Sequence, residues 1–132
     1  MAAVVHVVDD DDSFRTSVAR LLRAFGYEVA VYKSAHALLE RLPDDGDSGC
    51  ILLDVQIPGL RGPELQSRLT EIGYALPIVF LTGSSDVPEE AISAEDFLYK
   101  PVPKQKLIDA IERAVRRHRV VREQFLPLTA GT

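Results

Sequence analysis

Apolar residues fall in two patterns along this chain, and they alternate. Short apolar runs stand at Val4–Val8, interrupted only by His6, at Glu28–Tyr32, with Val-Ala-Val after Glu28, and at Ile51–Leu53, Pro77–Leu81 and Phe97–Tyr99. Each is strand-length and bounded by Gly, Pro, Asp or Lys, which predicts buried strands. Between them apolar residues recur at helical spacing. Phe14, Val18, Leu21, Leu22 and Phe25 form one stripe, with Gly26 as its stop. Leu38, Leu39 and Leu42 form a second, with Ser34 as N-cap. Gly62-Pro63 opens a third helix with Leu65, Leu69 and Ile72, ended by Gly73. Pro103 opens a last, long helix carrying Leu107, Ile108, Ile111 and Val115. Pro43 to Gly49 reads as a loop, and Asp86 to Glu95 allows at most a brief helix. Phe125 to Thr132 has no periodicity and reads as a tail.

Strand and helix therefore alternate five times. That order predicts an α/β fold: one doubly wound, five-stranded parallel sheet in the order 2-1-3-4-5, with helices on both faces, flavodoxin-like. A chain of 132 residues supports one such domain with its own core. The expected division is 1–120 for the domain and 121–132 for a C-terminal linker or tail. A net charge of -5 argues against nucleic acid as the main partner of this domain. The single cysteine, Cys50, forms no disulfide within the chain and reads as a small buried hydrophobe in a reducing, cytoplasmic setting. No leader or membrane-spanning stretch is expected from the sequence.

Charge changes the picture at the strand ends. The first strand runs into Asp9-Asp10-Asp11-Asp12 and the third ends in Asp54. Asp11 or Asp12 suits a helix cap, but Asp9 and Asp10 lie at the strand end, where adjacent carboxylates repel. A hard divalent cation would relieve that repulsion. The first and third strands flank the switch point of the 2-1-3-4-5 order, so Asp9, Asp10 and Asp54 should converge in one crevice. Thr82 and Lys100, from the fourth and fifth strands, should line its rim. Carboxylates, a hydroxyl and an ammonium in one crevice suit phosphoryl transfer, with Asp54 as the nucleophile. His6 reads as a core histidine, and His36 and His118 as surface. The run from Arg116 to Arg122, with Glu112 four residues before Arg116, reads as a solvated helix face.

The set Val8-Asp9-Asp10, Asp54 with Pro58 four residues on, Thr82-Gly83 and Lys100-Pro101 resembles the receiver domain of two-component response regulators. Val5-His6-Val7-Val8-Asp9-Asp10, Tyr32-Lys33-Ser34-Ala35 and Thr82-Gly83-Ser84-Ser85-Asp86-Val87-Pro88 are similar to the FixJ branch of the LuxR-type transcriptional regulators. The resemblance covers about Val4 to Arg119. It implies that Asp54 accepts phosphate from a histidine kinase. It also implies that Asp9, Asp10, Asp54 and the backbone carbonyl of Gln56 hold Mg²⁺ (or Mn²⁺), and that Thr82 and Lys100 contact the phosphoryl group. Phe97 occupies the family's aromatic switch position, and Lys100-Pro101 is commonly cis there. Such a domain is not an enzyme in the ordinary sense, though it can catalyse its own phosphorylation and dephosphorylation. A phosphorylation-promoted homodimer is a further implied partner, with DNA reached only through a domain not in this chain.

One departure is visible. Between Thr82 and Lys100 the chain is short by about one helical turn, so the fourth helix is expected to be shortened. Two other readings stay open: a receiver-shaped interaction module that does not switch by phosphate, and a small haloacid-dehalogenase-like phosphatase. The second would place its nucleophile in the first Asp cluster and needs a late acidic pair, which does not follow Lys100.

Overall fold

The computed structural model describes residues 3–45, 49–55, 62–71, 76–83 and 97–130. Its five strands are β1 (Val4–Val8), β2 (Glu28–Tyr32), β3 (Gly49–Asp54), β4 (Ile78–Thr82) and β5 (Phe97–Tyr99). They form one parallel sheet in the order β2-β1-β3-β4-β5. The described helices are α1 (Asp12–Ala24), α2 (Ala35–Asp45), α3 (Gly62–Glu71) and α4 (Lys104–Ala130).

Strand side chains alternate across the sheet, and each face has its own core. Val5, Val7, Cys50, Leu52, Val79 and Leu81 pack with Val18 and Leu22 of α1 and Leu107, Ile108 and Ile111 of α4. Val8, Ile51, Leu53, Ile78 and Phe80 pack with Leu38 of α2 and Leu65 and Leu69 of α3. Burial on both faces explains why β3 and β4 read as continuous apolar runs rather than alternating ones. All six positions of β3 and all five of β4 are buried.

The helix ends follow local chemistry. Asp11 caps α1 by accepting the Phe14 N–H at 3.2 Å. Ser34 Oγ accepts the Ala37 N–H at 3.1 Å ahead of α2. Gly26 follows α1 with φ +93°, the left-handed conformation that favours glycine at a helix exit. Gly49 has φ +112° at the start of β3, and a Cβ there would sit 1.9 Å from the Val4 carbonyl oxygen. Glycine is what lets β3 approach β1 at that point.

His6 is fully buried, with Nδ1 3.1 Å from the Tyr32 hydroxyl and the two rings stacked at 5.9 Å. It is a core histidine, as the strand pattern predicts, and Cys50 is a buried free thiol.

Two boundaries differ from the sequence expectation. The helix α2 runs on to Asp45, past the loop start expected at Pro43. The helix α4 runs on to Ala130, through most of the tail expected from Phe125 onward. Extending an existing helix needs no new nucleation, so both helices run past the expected ends although Pro43 and Pro127 bring no N–H to the added turns. Among the residues of α4 whose burial is described, Leu107, Ile108, Ala110, Ile111, Ala114 and Val115 are buried. The shortened helix expected over Asp86–Glu95 lies outside the described residues, as do Gln56, Pro58, Ile72 and Gly73.

Candidate functional site at the carboxyl ends of the strands

The site sits where β1, β3, β4 and β5 end. Asp9 directly follows β1, and its backbone N–H donates to the Tyr32 carbonyl at 3.2 Å. Asp54 is the last residue of β3, in register with Leu81 of β4. Thr82 ends β4 and is fully buried. Its carbonyl accepts the Lys100 N–H at 2.7 Å, which ties the ends of β4 and β5 together.

These placements converge. One carboxylate oxygen from each of Asp9, Asp10 and Asp54 lies within 4.8 Å of the others. Lys100 Nζ stands among them, 2.6 Å from Asp9 Oδ2 and 3.1 Å from Asp54 Oδ2. The same ammonium lies 4.2 Å from the centre of the Phe14 ring, a cation–π contact at the site's wall. The Lys100-Pro101 peptide is cis. Asp9 has no exposed surface and Asp54 is 8% exposed, whereas Asp10 is open to solvent.

Burial governs the electrostatics. Removal from water raises the Asp9 carboxyl above its ordinary value. The hydrogen bonds from Lys100 and from the Asp11 N–H (2.9 Å) offset part of that rise. For Lys100, burial alone would lower the ammonium. The hydrogen bonds to Asp9 and Asp54 outweigh it, and the pKa is raised. The ammonium is therefore held charged as the counter-ion of both buried carboxylates.

Three carboxylates face one ammonium, an excess of negative charge suited to a cation. Hard oxygen donors within 4.8 Å of one another fit the short ligand spacing that Mg²⁺ imposes. The donors of this chain therefore fit the metal that the resemblance implies.

Sequence reasoning passed over Arg15. Its side chain is largely buried (8% residue exposure), Nη1 donates to the Asp9 carbonyl oxygen at 2.5 Å, and Nη2 pairs with Asp12 Oδ1. It thus holds both ends of the acidic loop. The available signal was its place one turn into α1, three residues after Asp12 and six after Asp9. Of the predicted residues, Asp9, Asp10, Asp54 and Lys100 are brought together, and Thr82 stands buried at the end of the neighbouring strand. Phe97 lies in β5, opposite Phe80, with its side chain outside the described residues.

A 2-1-3-4-5 parallel sheet with an acid cluster and a lysine at its switch point defines a class: the doubly wound, flavodoxin-like signalling domains. A family model described as the response regulator receiver domain matches residues 5–112. The chain belongs to the response regulator receiver domain family. Nodulation protein W of Bradyrhizobium diazoefficiens is 41% identical over 125 residues, covering 92% of this chain and 55% of that protein. The transcriptional regulatory protein FixJ of Azorhizobium caulinodans is 41% identical over 120 residues, covering 86% of this chain and 55% of that protein. Among solved structures, FixJ-N superposes with a TM-score of 0.76 at 35% identity, covering 88% of this chain and 95% of that one. The FixJ-like branch read from the sequence is thereby supported. The chain spans about half the length of the curated relatives it matches. No helix among the described residues is long and apolar enough to cross a membrane.

Proposed function

We propose that Asp54 is the phosphoacceptor of this receiver domain, taking a phosphoryl group from a phosphohistidine of a histidine kinase. An Asp54 carboxylate oxygen attacks the phosphorus, the P–N bond breaks, and its electron pair leaves with the imidazole. Asp9, Asp10, Asp54 and the backbone carbonyl of Gln56 would hold Mg²⁺ (or Mn²⁺), which supplies charge neutralisation for the phosphoryl oxygens. Lys100 is the resident cation and pairs with those oxygens once Asp54 is esterified. Thr82 supplies a hydroxyl donor at the neighbouring strand end.

The observation that carries this reading is the Lys100 ammonium bridging Asp9 and Asp54 at 2.6 and 3.1 Å. It marks where a second anion would be accepted. The domain assists its own phosphorylation and dephosphorylation rather than turning over free substrates. Residues 1–120 make the receiver unit, and 121–132 lead toward an output domain that acts on transcription, in keeping with the relative FixJ, a transcriptional regulatory protein. The new charge at Asp54 draws Thr82 toward it, Phe97 follows, and a homodimer of receivers forms.

Acetyl phosphate with Mg²⁺ tests this by intact-mass spectrometry. The parent gains one phosphate, and Asp54→Asn gains none. Labelling of the asparagine variant at the parent's level overturns the assignment. Release of phosphate from many unrelated monoesters would favour the phosphatase reading instead.

A further inference from the structure

The edge strand β2 and the helix α1 leave a groove that shares Asp12 and Arg15 with the clamp of the acidic loop but is lined by none of Asp9, Asp10, Asp54, Thr82 or Lys100. In the sheet order, β2 pairs with β1 on one side only. Glu28 donates its N–H to the Ala3 carbonyl at 3.1 Å, and the Tyr32 carbonyl accepts the Asp9 N–H at 3.2 Å. In a parallel ladder every second residue bonds to the same neighbour, so residues 28, 30 and 32 face β1. Val29 and Val31 turn their backbone polar groups to the open edge. Arg23 crosses from α1 to the Val29 carbonyl at 3.3 Å, consistent with that outward direction.

Open edges are usually blunted by charged residues or by being very short. The other edge, β5, has three residues; β2 has five, and its centre is Val29-Ala30-Val31. Val31 is 38% exposed. It lines a groove of about 460 Å³ with Asp12, Arg15, Thr16, Ala19, Arg20 and Arg23 of α1, where the Asp12 carboxylate is already paired with Arg15. Arg20 and Arg23 are both exposed, and no ion pair reaches either among the described residues. Two exposed guanidinium groups thus flank an apolar strand edge, one of them already on the outward Val29 carbonyl, in a chain of net charge -5.

We propose that this groove docks an extended acidic segment of a partner protein, which adds to the sheet beside β2 and sets its carboxylates against Arg20 and Arg23. Strand addition pairs the outward groups of Val31 and the Val29 N–H, and takes over the Val29 carbonyl from Arg23, whose guanidinium then turns to the partner's carboxylate. Side chains of an added strand alternate, so every second one enters the groove on the α1 side. An acidic residue there meets guanidinium groups in their preferred bidentate geometry.

The test uses the full chain and a labelled seven-residue peptide of alternating Val and Glu, read by fluorescence anisotropy and amide NMR. The peptide is expected to bind with shifts centred on Val29, Val31 and the Arg20–Arg23 turn. Arg20→Glu with Arg23→Glu should weaken binding more than tenfold, with the melting temperature checked for an intact fold. A peptide with Lys for Glu, or with Pro at alternate positions, should not bind. Absence of binding at millimolar peptide overturns the proposal, as does binding unaffected by the double variant. Tolerance of the Pro peptide also overturns it, since that would reduce the groove to a site for any polyanion.

Discussion

Lys100 Nζ and Asp9 Oδ2 are 2.6 Å apart, although 91 positions separate them in the chain. One comes from the end of the first strand and the other from just past the fifth, so the contact exists only when the whole sheet has closed. The same ammonium reaches Asp54. It therefore balances two buried carboxylates, and its removal leaves both without their described cation.

Lys100→Met should accordingly destabilise the metal-free protein by about 2–4 kcal/mol, the cost of stripping one partner from a buried ion pair. Urea unfolding in EDTA measures this. Millimolar Mg²⁺ should recover part of the loss by binding the folded form alone. A variant as stable as the parent in EDTA would show that Lys100 is not the counter-ion.

The pH dependence has a definite sign. Lys100 is raised in the folded state, so its contribution is complete below its ordinary value of 10.5 and is lost as pH rises through the raised value. In EDTA, the parent's stability should fall more steeply above about pH 10.5 than that of Lys100→Met. Asp9 is raised too, so its contribution is full below 3.8 and is lost as pH climbs through its raised value. Asp9→Asn should therefore gain on the parent as pH rises above 3.8, read by urea unfolding across pH.

Arg15 clamps the acidic loop through the Asp9 carbonyl and Asp12. Arg15→Met should cost about 1–3 kcal/mol of stability, because a buried carbonyl loses a charged donor. It should also weaken Mg²⁺ binding several-fold in a thermal-shift titration. Arg15→Lys should restore stability more fully than metal affinity, since an ammonium cannot hold both oxygens in a planar fork.

Gly49→Ala tests the packing of the sheet rather than its chemistry. The new Cβ would fall 1.9 Å from the Val4 carbonyl oxygen, in a backbone conformation that already disfavours side chains. A loss of more than about 4 kcal/mol, or failure to fold, is expected. A near-native melting temperature would mean that β1 and β3 can separate at that end.

The strands β3 and β4 were legible because burial on both faces writes them as pure apolar runs, and the order of all five followed from alternation with helices. Asp9, Asp10 and Asp54 could be placed in one crevice because topology brings the ends of β1 and β3 together. Arg15 was not legible. An arginine in the first turns of an amphipathic helix looks solvated, and only the fold shows it turned back toward the strand end. Nor was the true end of α4, since helix propagation continues after apolar periodicity has stopped. The groove beside β2 escaped for a related reason: the order 2-1-3-4-5 already put that strand at an edge, but which side chains of α1 stand beside Val31 is seen only in the packed fold.

The continuation of α4 beyond Val115 has a mechanical meaning. After Val115 the helix runs on to Ala130. A rigid helix sets the azimuth of whatever follows it as well as its distance. Each residue advances the axis by about 1.5 Å and turns it by about 100°. One alanine inserted between Val115 and Gln124 would barely lengthen the molecule, yet would swing the distal end through more than a quarter turn. Four inserted residues would nearly restore the phase. Sensitivity to one residue and tolerance of four would mark this segment as a torsional coupling rather than a tether.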